Sequence, residues 1–374
     1  MEPVSTGSLQ AADADRLVGR LHDQSRSAAL LGSPLYADLL TLAATDVDRR
    51  GPCWRAMAPH AHEPDSAALP LRFMAAIHRL VLRRQAPALA LHYPSVGGGA
   101  GVEGAGPAFL AAVEQHVDAL VGLTGLPCQT NEVGRSAALA PALLWVQAHH
   151  DLPLHQLEIG TSAGLNLRWD HFCYGTADGR VTWGDPASPV DLVGHWIVPP
   201  TALPSRAELV ARRGCDPAPG DPADAGTRET LTASVWADQH DRHQRLRGAL
   251  ALAADVPAQL DAEPAGTWLA RQLDLRPSGA VTVVTHSVVW RYLGAAEQKQ
   301  VLDLLDVHGR DATPDRPLAW VRLEPAPPLQ VYDGTPYPVT VTTLPGGTTR
   351  VLAHAQAHGQ DLRWVSAPAR RGDG

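Results

Sequence analysis

The sequence predicts an α/β protein, an open and doubly wound sheet closed by an antiparallel C-terminal hairpin and preceded by an all-helical part. Three observations carry this. Over 374 residues, 45% hydrophobic content supplies a full core. Up to residue 150 the apolar residues recur at i, i+3 and i+4 and nothing alternates. Beyond it, short β-branched or apolar runs end in a polar or acidic residue and then a turn, as strands of a parallel sheet do. The expected division is 1–150, helical and on the substrate side, and 151–374, bearing the sheet, with an inserted region at about 172–205.

Composition narrows the partners. A net charge of −8 without any basic run argues against nucleic acid. Cys53, Cys128, Cys173 and Cys215 are dispersed with no C-x-x-C pair, and the 17 histidines show no ligand spacing, so neither a disulfide framework nor a metal is expected. Met1-Glu2-Pro3-Val4-Ser5 lacks the basic and apolar regions of a signal peptide, and no apolar run approaches about 18 residues, so the chain reads as cytoplasmic and off the membrane.

Helices are expected over 9–31, 34–47, 70–85 and 107–123, three of them with proline at or near the start, where its missing N–H goes unused. The glycine-rich stretch 97–106 is a connector or a flap. Next, Gln129-Thr130-Asn131-Glu132-Val133-Gly134-Arg135 leads into an apolar helix that ends near His149-His150-Asp151. Thr130 or Asn131 can cap it. Gln129, Asn131, Glu132 and Arg135 together exceed what capping needs and are candidates for substrate contact, with Glu132 a possible base.

The chain's central stretch is Leu157-Glu158-Ile159-Gly160-Thr161-Ser162-Ala163-Gly164-Leu165-Asn166-Leu167. An apolar run ending on an acid, then small residues at alternate positions, predicts a buried strand, a tight turn and a helix start whose free N–H groups point at a ligand. Read as Glu158-x-Gly160-x-Ser162-x-Gly164, it resembles the first motif of class I S-adenosylmethionine-dependent methyltransferases, with serine at the middle glycine. Gly160-x-Ser162-x-Gly164 also matches the nucleophile elbow of α/β-hydrolases and the equivalent turn of patatin-like lipases.

These two segments, with Arg213-Gly214-Cys215-Asp216, Val235-Trp236-Ala237-Asp238-Gln239 and the late His358-Gly359, resemble the signature of the bacterial family labelled domain of unknown function 2332. That resemblance runs over nearly the whole chain and implies no particular activity.

Residues 164–171 read as a helix start, and 172–198 as a hairpin region beside the ligand crevice in which Trp169 and Tyr174 pack. A strand over 208–213 delivers Asp216 to the place where nucleotide-binding sheets hold ribose hydroxyls. A helix is expected over 230–253, with Asp238 and Arg242 at i,i+4. Residues 256–261 suggest a third strand ending in Asp261, and 280–285 a fourth, buried on both faces, that presents His286 at its end before a helix over 288–293. His286 has the chemistry of a general base. A fifth strand over 317–323 and a hairpin over 338–353 complete the sheet.

Five parallel strands and a terminal hairpin resemble the Rossmann-like, methyltransferase-type order. That resemblance implies S-adenosylmethionine held by Glu158, Gly160, Ser162, Gly164, Asn166, Asp216 and Asp261, a small-molecule acceptor near Gln129, Asn131 and Arg135, and His286 or Glu132 as base. Two alternatives stay open: a serine hydrolase with Ser162 as nucleophile and Asp333 or His358 as partner, and a protein that binds a nucleotide or metabolite without chemistry.

Overall fold

The computed structural model describes residues 6–326 and 332–366. The chain forms two compact units. One runs to Thr130 and takes in Arg228–His243 and Val331–Gly334; the other holds Asn131–Thr227, Gln244–Gln330 and the chain from Thr335 onward.

The first unit is helical: α1 (Thr6–Leu30), α2 (Pro34–Asp48), α3 (Pro52–Met57), α4 (Leu69–Leu82), α5 (Pro87–Ala90), α6 (Ala105–Gln115) and α7 (Val117–Thr124). Ser33 caps α2 and Pro34 opens it, as the sequence requires. The helix expected over 107–123 is broken between α6 and α7 at His116, whose backbone leaves the helical region at φ −121°. In the same way the helix expected over 230–253 is two, α9 (Ala225–Ser234) and α10 (His240–Asp255). The break carries Trp236 into the helical core, where it stacks on Tyr36 at 5.9 Å. Asp238 turns to the start of α2, accepting from Ser33 Oγ (2.5 Å) and Leu35 N (3.0 Å).

Helix α8 (Ser136–His150) was expected in the helical part, but it lies in the second unit, so the boundary falls at Thr130/Asn131 and not at 150. Residues 136–147 are all buried, and a helix apolar all round needs cover on every side. That cover comes from the strands it packs on.

The second unit contains β1 (Leu154–Ile159), β2 (Cys173–Thr176), β3 (Val181–Gly184), β4 (Asp191–Val198), β5 (Leu209–Asp216), β6 (Gln259–Ala262), β7 (Val281–Ser287), β8 (Leu318–Leu323), β9 (Tyr337–Leu344), β10 (Thr348–Ala355) and β11 (Leu362–Trp364), with helices α11 (Ala265–Asp274) and α12 (Ala295–Arg310). All the strands join one sheet in the order β3-β2-β4-β11-β10-β9-β8-β7-β1-β5-β6. From β6 to β8 the pairing is parallel throughout, and β9 and β10 add the antiparallel hairpin. The parallel strands therefore run, by chain order, third-second-first-fourth-fifth. Their order reverses between β1 and β7, the switch point at which open α/β sheets bind ligands.

Three local expectations fail. Residues 165–171 form a 3₁₀ helix, not an α-helix, and the chain turns straight into β2. After β7 there is only the 3₁₀ turn Trp290–Tyr292. The inserted strands β2 to β4 do not flank β1; they extend the opposite end of the sheet, where β4 pairs with β11. Trp169 packs as expected, stacked on Trp183 at 5.8 Å with its N–H on Gln156 Oε1. On one face Leu157, Ile159, Val284, Leu318 and Trp320 pack against α11 and α12. Among the described residues no helix is long and apolar enough to cross a membrane.

Candidate functional site

The turn after β1 is held from several directions. The N–H groups of Gly160 and Thr161 both donate to the carbonyl of Cys215 (2.9 and 3.0 Å), so β5 anchors its start. Ser162 N–H donates to Asp216 Oδ2 at 3.1 Å, Gly164 N–H to the Thr161 carbonyl at 2.8 Å, and Leu165 N–H to Asn131 Oδ1 at 2.8 Å. The expectation of free N–H groups at this helix start is thereby corrected: these donors already have protein acceptors, and the turn has lost what a phosphate site needs.

Its small residues have local causes. Gly160 has φ +69°, and a Cβ there would lie 2.3 Å from Val289 Cγ2; at Gly164, φ +67°, a Cβ would meet Leu260 Cδ2 at 2.7 Å. Ser162 is left-handed without being glycine, at φ +52°. Its Oγ is buried and, among the described residues, has no hydrogen-bond partner. Across the switch point Val288 is also left-handed, at φ +53°, which is costly for a β-branched residue. Strained backbone at the ends of both strands that flank a switch point is a mark of a functional site.

Beneath the turn Glu158 is 4% exposed and accepts from Thr161 Oγ1 at 2.6 Å. Burial pushes its carboxyl up to about 7, against the pull of the Thr161 hydroxyl and the charges of Arg168 and Arg135. Asp216, half-buried at the end of β5, accepts from Ser162 N–H and Ala218 N–H. Of the two oxygens' roughly four lone-pair positions, two remain. Asp261 is otherwise engaged, on Arg213 (3.1 Å) and the Trp268 indole (2.7 Å), which hold its carboxyl below the usual range despite burial.

The segment before α8 is stitched onto the turn. Asn166, 4% exposed, accepts from Ser136 Oγ (2.8 Å) and donates to the Glu132 carbonyl (3.2 Å). Asn131 bonds Leu165 and does not cap α8, which has no side-chain cap; Glu132 caps the 3₁₀ turn Val133–Arg135 before it, its Oε1 accepting from Gly134 N–H at 3.1 Å. Arg135 donates to the Ser287 and Ala357 carbonyls, tying α8 to β7 and to the His358-Gly359 turn. Gln129 belongs to the helical unit, where it is half-buried. His195 of β4 has its pKa lowered to about 4 by burial and by Arg245, with Glu132 acting the other way.

His286 is 1% exposed, and its Nδ1 lies 2.7 Å from Glu324 Oε1, which also accepts from the N–H groups of Val289 and Trp290. The ring stacks on Trp290 at 5.2 Å and leans on Trp320; its Nε2 is buried with no partner among the described residues. By strand alternation His286 shares the face of Val284, whereas Glu158 lies opposite that of Leu157 and Ile159. The sheet thus separates these two candidates. Glu324, Trp290 and Trp320 were not singled out from the sequence. Glu324 lies one residue past β8, and the strand-end logic applied to Asp216 would have found it.

The family described as "Uncharacterized protein conserved in bacteria (DUF2332)" matches residues 19–364. The chain belongs to that family. The match takes in every motif of this DUF2332 chain noted above, from Asn131 to His358. No curated protein and no solved structure matches it.

Proposed function

We propose that this DUF2332 chain is a Rossmann-like methyltransferase that binds S-adenosylmethionine at the turn after β1 and acts on a small-molecule acceptor. The single observation carrying this is the chemistry left at the switch point: N–H donors are taken, while carboxylates and an unpartnered hydroxyl remain. A phosphate would find the N–H groups of Gly160, Thr161, Ser162, Gly164 and Leu165 already engaged. Ribose hydroxyls, an ammonium and a sulfonium need acceptors and negative charge, and Glu158, Asp216 and Ser162 are of that type.

When bound, the cofactor supplies a methyl group on a sulfonium. Asp216 accepts from ribose hydroxyls with its two remaining lone-pair positions, and Glu158 ionises against the positive charge. Ser162 Oγ gains the partner it lacks. Alignment and exclusion of water can provide on the order of 7–11 kcal/mol of the acceleration at the upper end, so a base is optional. Where the acceptor carries a proton, Glu132 is the proposed base; His286, held by Glu324 on the other face of the sheet from Glu158, is not placed to serve.

Titration with S-adenosylhomocysteine by calorimetry tests this directly. Micromolar affinity, about −8 kcal/mol, is expected, and its loss in Glu158→Gln and Asp216→Ala. A well-folded protein with no measurable heat would remove the proposal. One observation favours a second reading: Ser162 is strained, buried and, among the described residues, without a hydrogen-bond partner for its Oγ, as a held nucleophile can be. Covalent labelling of Ser162 by a fluorophosphonate, lost in Ser162→Ala, would replace the methyltransferase reading with a hydrolase. The binding-only alternative rests on no such observation.

A further inference from the structure

Helix α4 of the helical unit carries a buried guanidinium with an unpartnered nitrogen. Arg79 is 2% exposed, and among the described residues nothing accepts a hydrogen bond from its Nη2. The carboxylate whose charge reaches it is Glu229, and Glu229 is clamped by Arg83 through two bonds of 2.6 and 3.0 Å. Burial accordingly depresses the Arg79 guanidinium below its ordinary range.

The other group whose charge acts on it is the Cys128 thiol, half-buried and 3.8 Å from Ser234 Oγ. That thiol lies in the field of three guanidinium groups, Arg79, Arg242 and Arg72. Arg72 is accounted for by Glu63 and the Thr124 carbonyl. Arg242 lies over the Trp236 ring at 5.7 Å and donates to Gln239 Oε1. A buried guanidinium beside like charges, with its nearest acid engaged elsewhere, is strongly unfavourable unless an anion joins it.

We propose that the helical unit binds an oxyanion, the carboxylate or phosphate group of a metabolite, on Arg79 beside Cys128, with Arg242 adding to the attraction. A guanidinium fork matches two oxygens of such a group, which favours an oxyanion over a spherical halide. The site is independent of cofactor binding at the β1 turn. Loss of one does not entail loss of the other.

The test uses the full chain in low-chloride buffer with three probes, inorganic phosphate, succinate and sodium chloride, at matched ionic strength. Phosphate or succinate should raise the melting temperature saturably, and the one that saturates at lower concentration identifies the group. Arg79→Met should weaken this effect at least about tenfold and, without anion, should melt above the wild type because the isolated buried charge is gone. As a second readout in the wild type, the effective oxyanion should slow modification of Cys128 by a thiol reagent, which keeps the proposal testable should Arg79→Met fail to fold. Equal effects of all three probes, equal effects on wild type and Arg79→Met, or no protection of Cys128 at saturating phosphate and succinate would each overturn it.

Discussion

At Glu158 a single carboxyl joins the fold to the proposed site. It is buried below a turn whose Thr161 hydroxyl it holds, and burial raises it from an ordinary 4.5 to about 7. A raised carboxyl means the folded protein keeps a proton that the unfolded chain releases, so this group favours folding fully below pH 4.5 and loses that contribution as the pH climbs to 7. The loss is on the order of 3 kcal/mol. Glu158→Gln should remove this segment of the profile: urea unfolding at several pH values should show the variant gaining on the wild type between pH 5 and 8. A constant difference would mean that the group is not raised. The sequence marks Glu158 as a candidate through its place before Gly160, but its protonation depends on Arg168, Arg135 and the cover over them, which come from other elements.

At the scale of elements, one close backbone crossing is made by two glycines far apart in the chain. A Cβ on Gly134 would lie 2.4 Å from the His358 carbonyl, and one on Gly359, at φ +86°, would lie 2.1 Å from the Gly134 carbonyl. This fit seats the turn after β10 on the start of α8, where Arg135 also holds Ala357 and Ser287. Gly134 does not have a positive φ, so alanine would ordinarily stabilise it slightly. The crossing reverses that sign: Gly134→Ala should cost about 1–3 kcal/mol in chemical denaturation and loosen His358, and a neutral or stabilising outcome would refute the crossing. Strands β1, β5, β7 and β8 and the hairpin were legible because buried parallel strands and hairpins have compositional signatures. The break at 235–239 and the 3₁₀ helix at 165–171 were not, since periodicity continues across them and only tertiary hydrogen bonds, such as Asn131 to Leu165, interrupt the helix.

Over the whole molecule the helical unit is discontinuous, and this has a direct consequence. Trp236 and Ala237, from the 228–243 segment, are buried in its core, and Asp238 receives the start of α2. A fragment of residues 1–150 lacks them and carries α8 without its sheet. It should bind a hydrophobic dye and show no cooperative melting transition; a sharp transition with native-like near-UV signals would contradict the assigned core. The sequence by itself determined the class of the protein, the parallel strands, the turn at Glu158 to Gly164 and the family, because apolar period, β-branching and motif spacing are local properties. Only the tertiary structure decided that α8 belongs to the sheet, that β2 to β4 extend its far end, that the turn's donors are already satisfied, and that His286 pairs with Glu324 across the sheet from Glu158. Those are matters of which segments meet, and burial and hydrogen-bond satisfaction fix them through partners many residues apart.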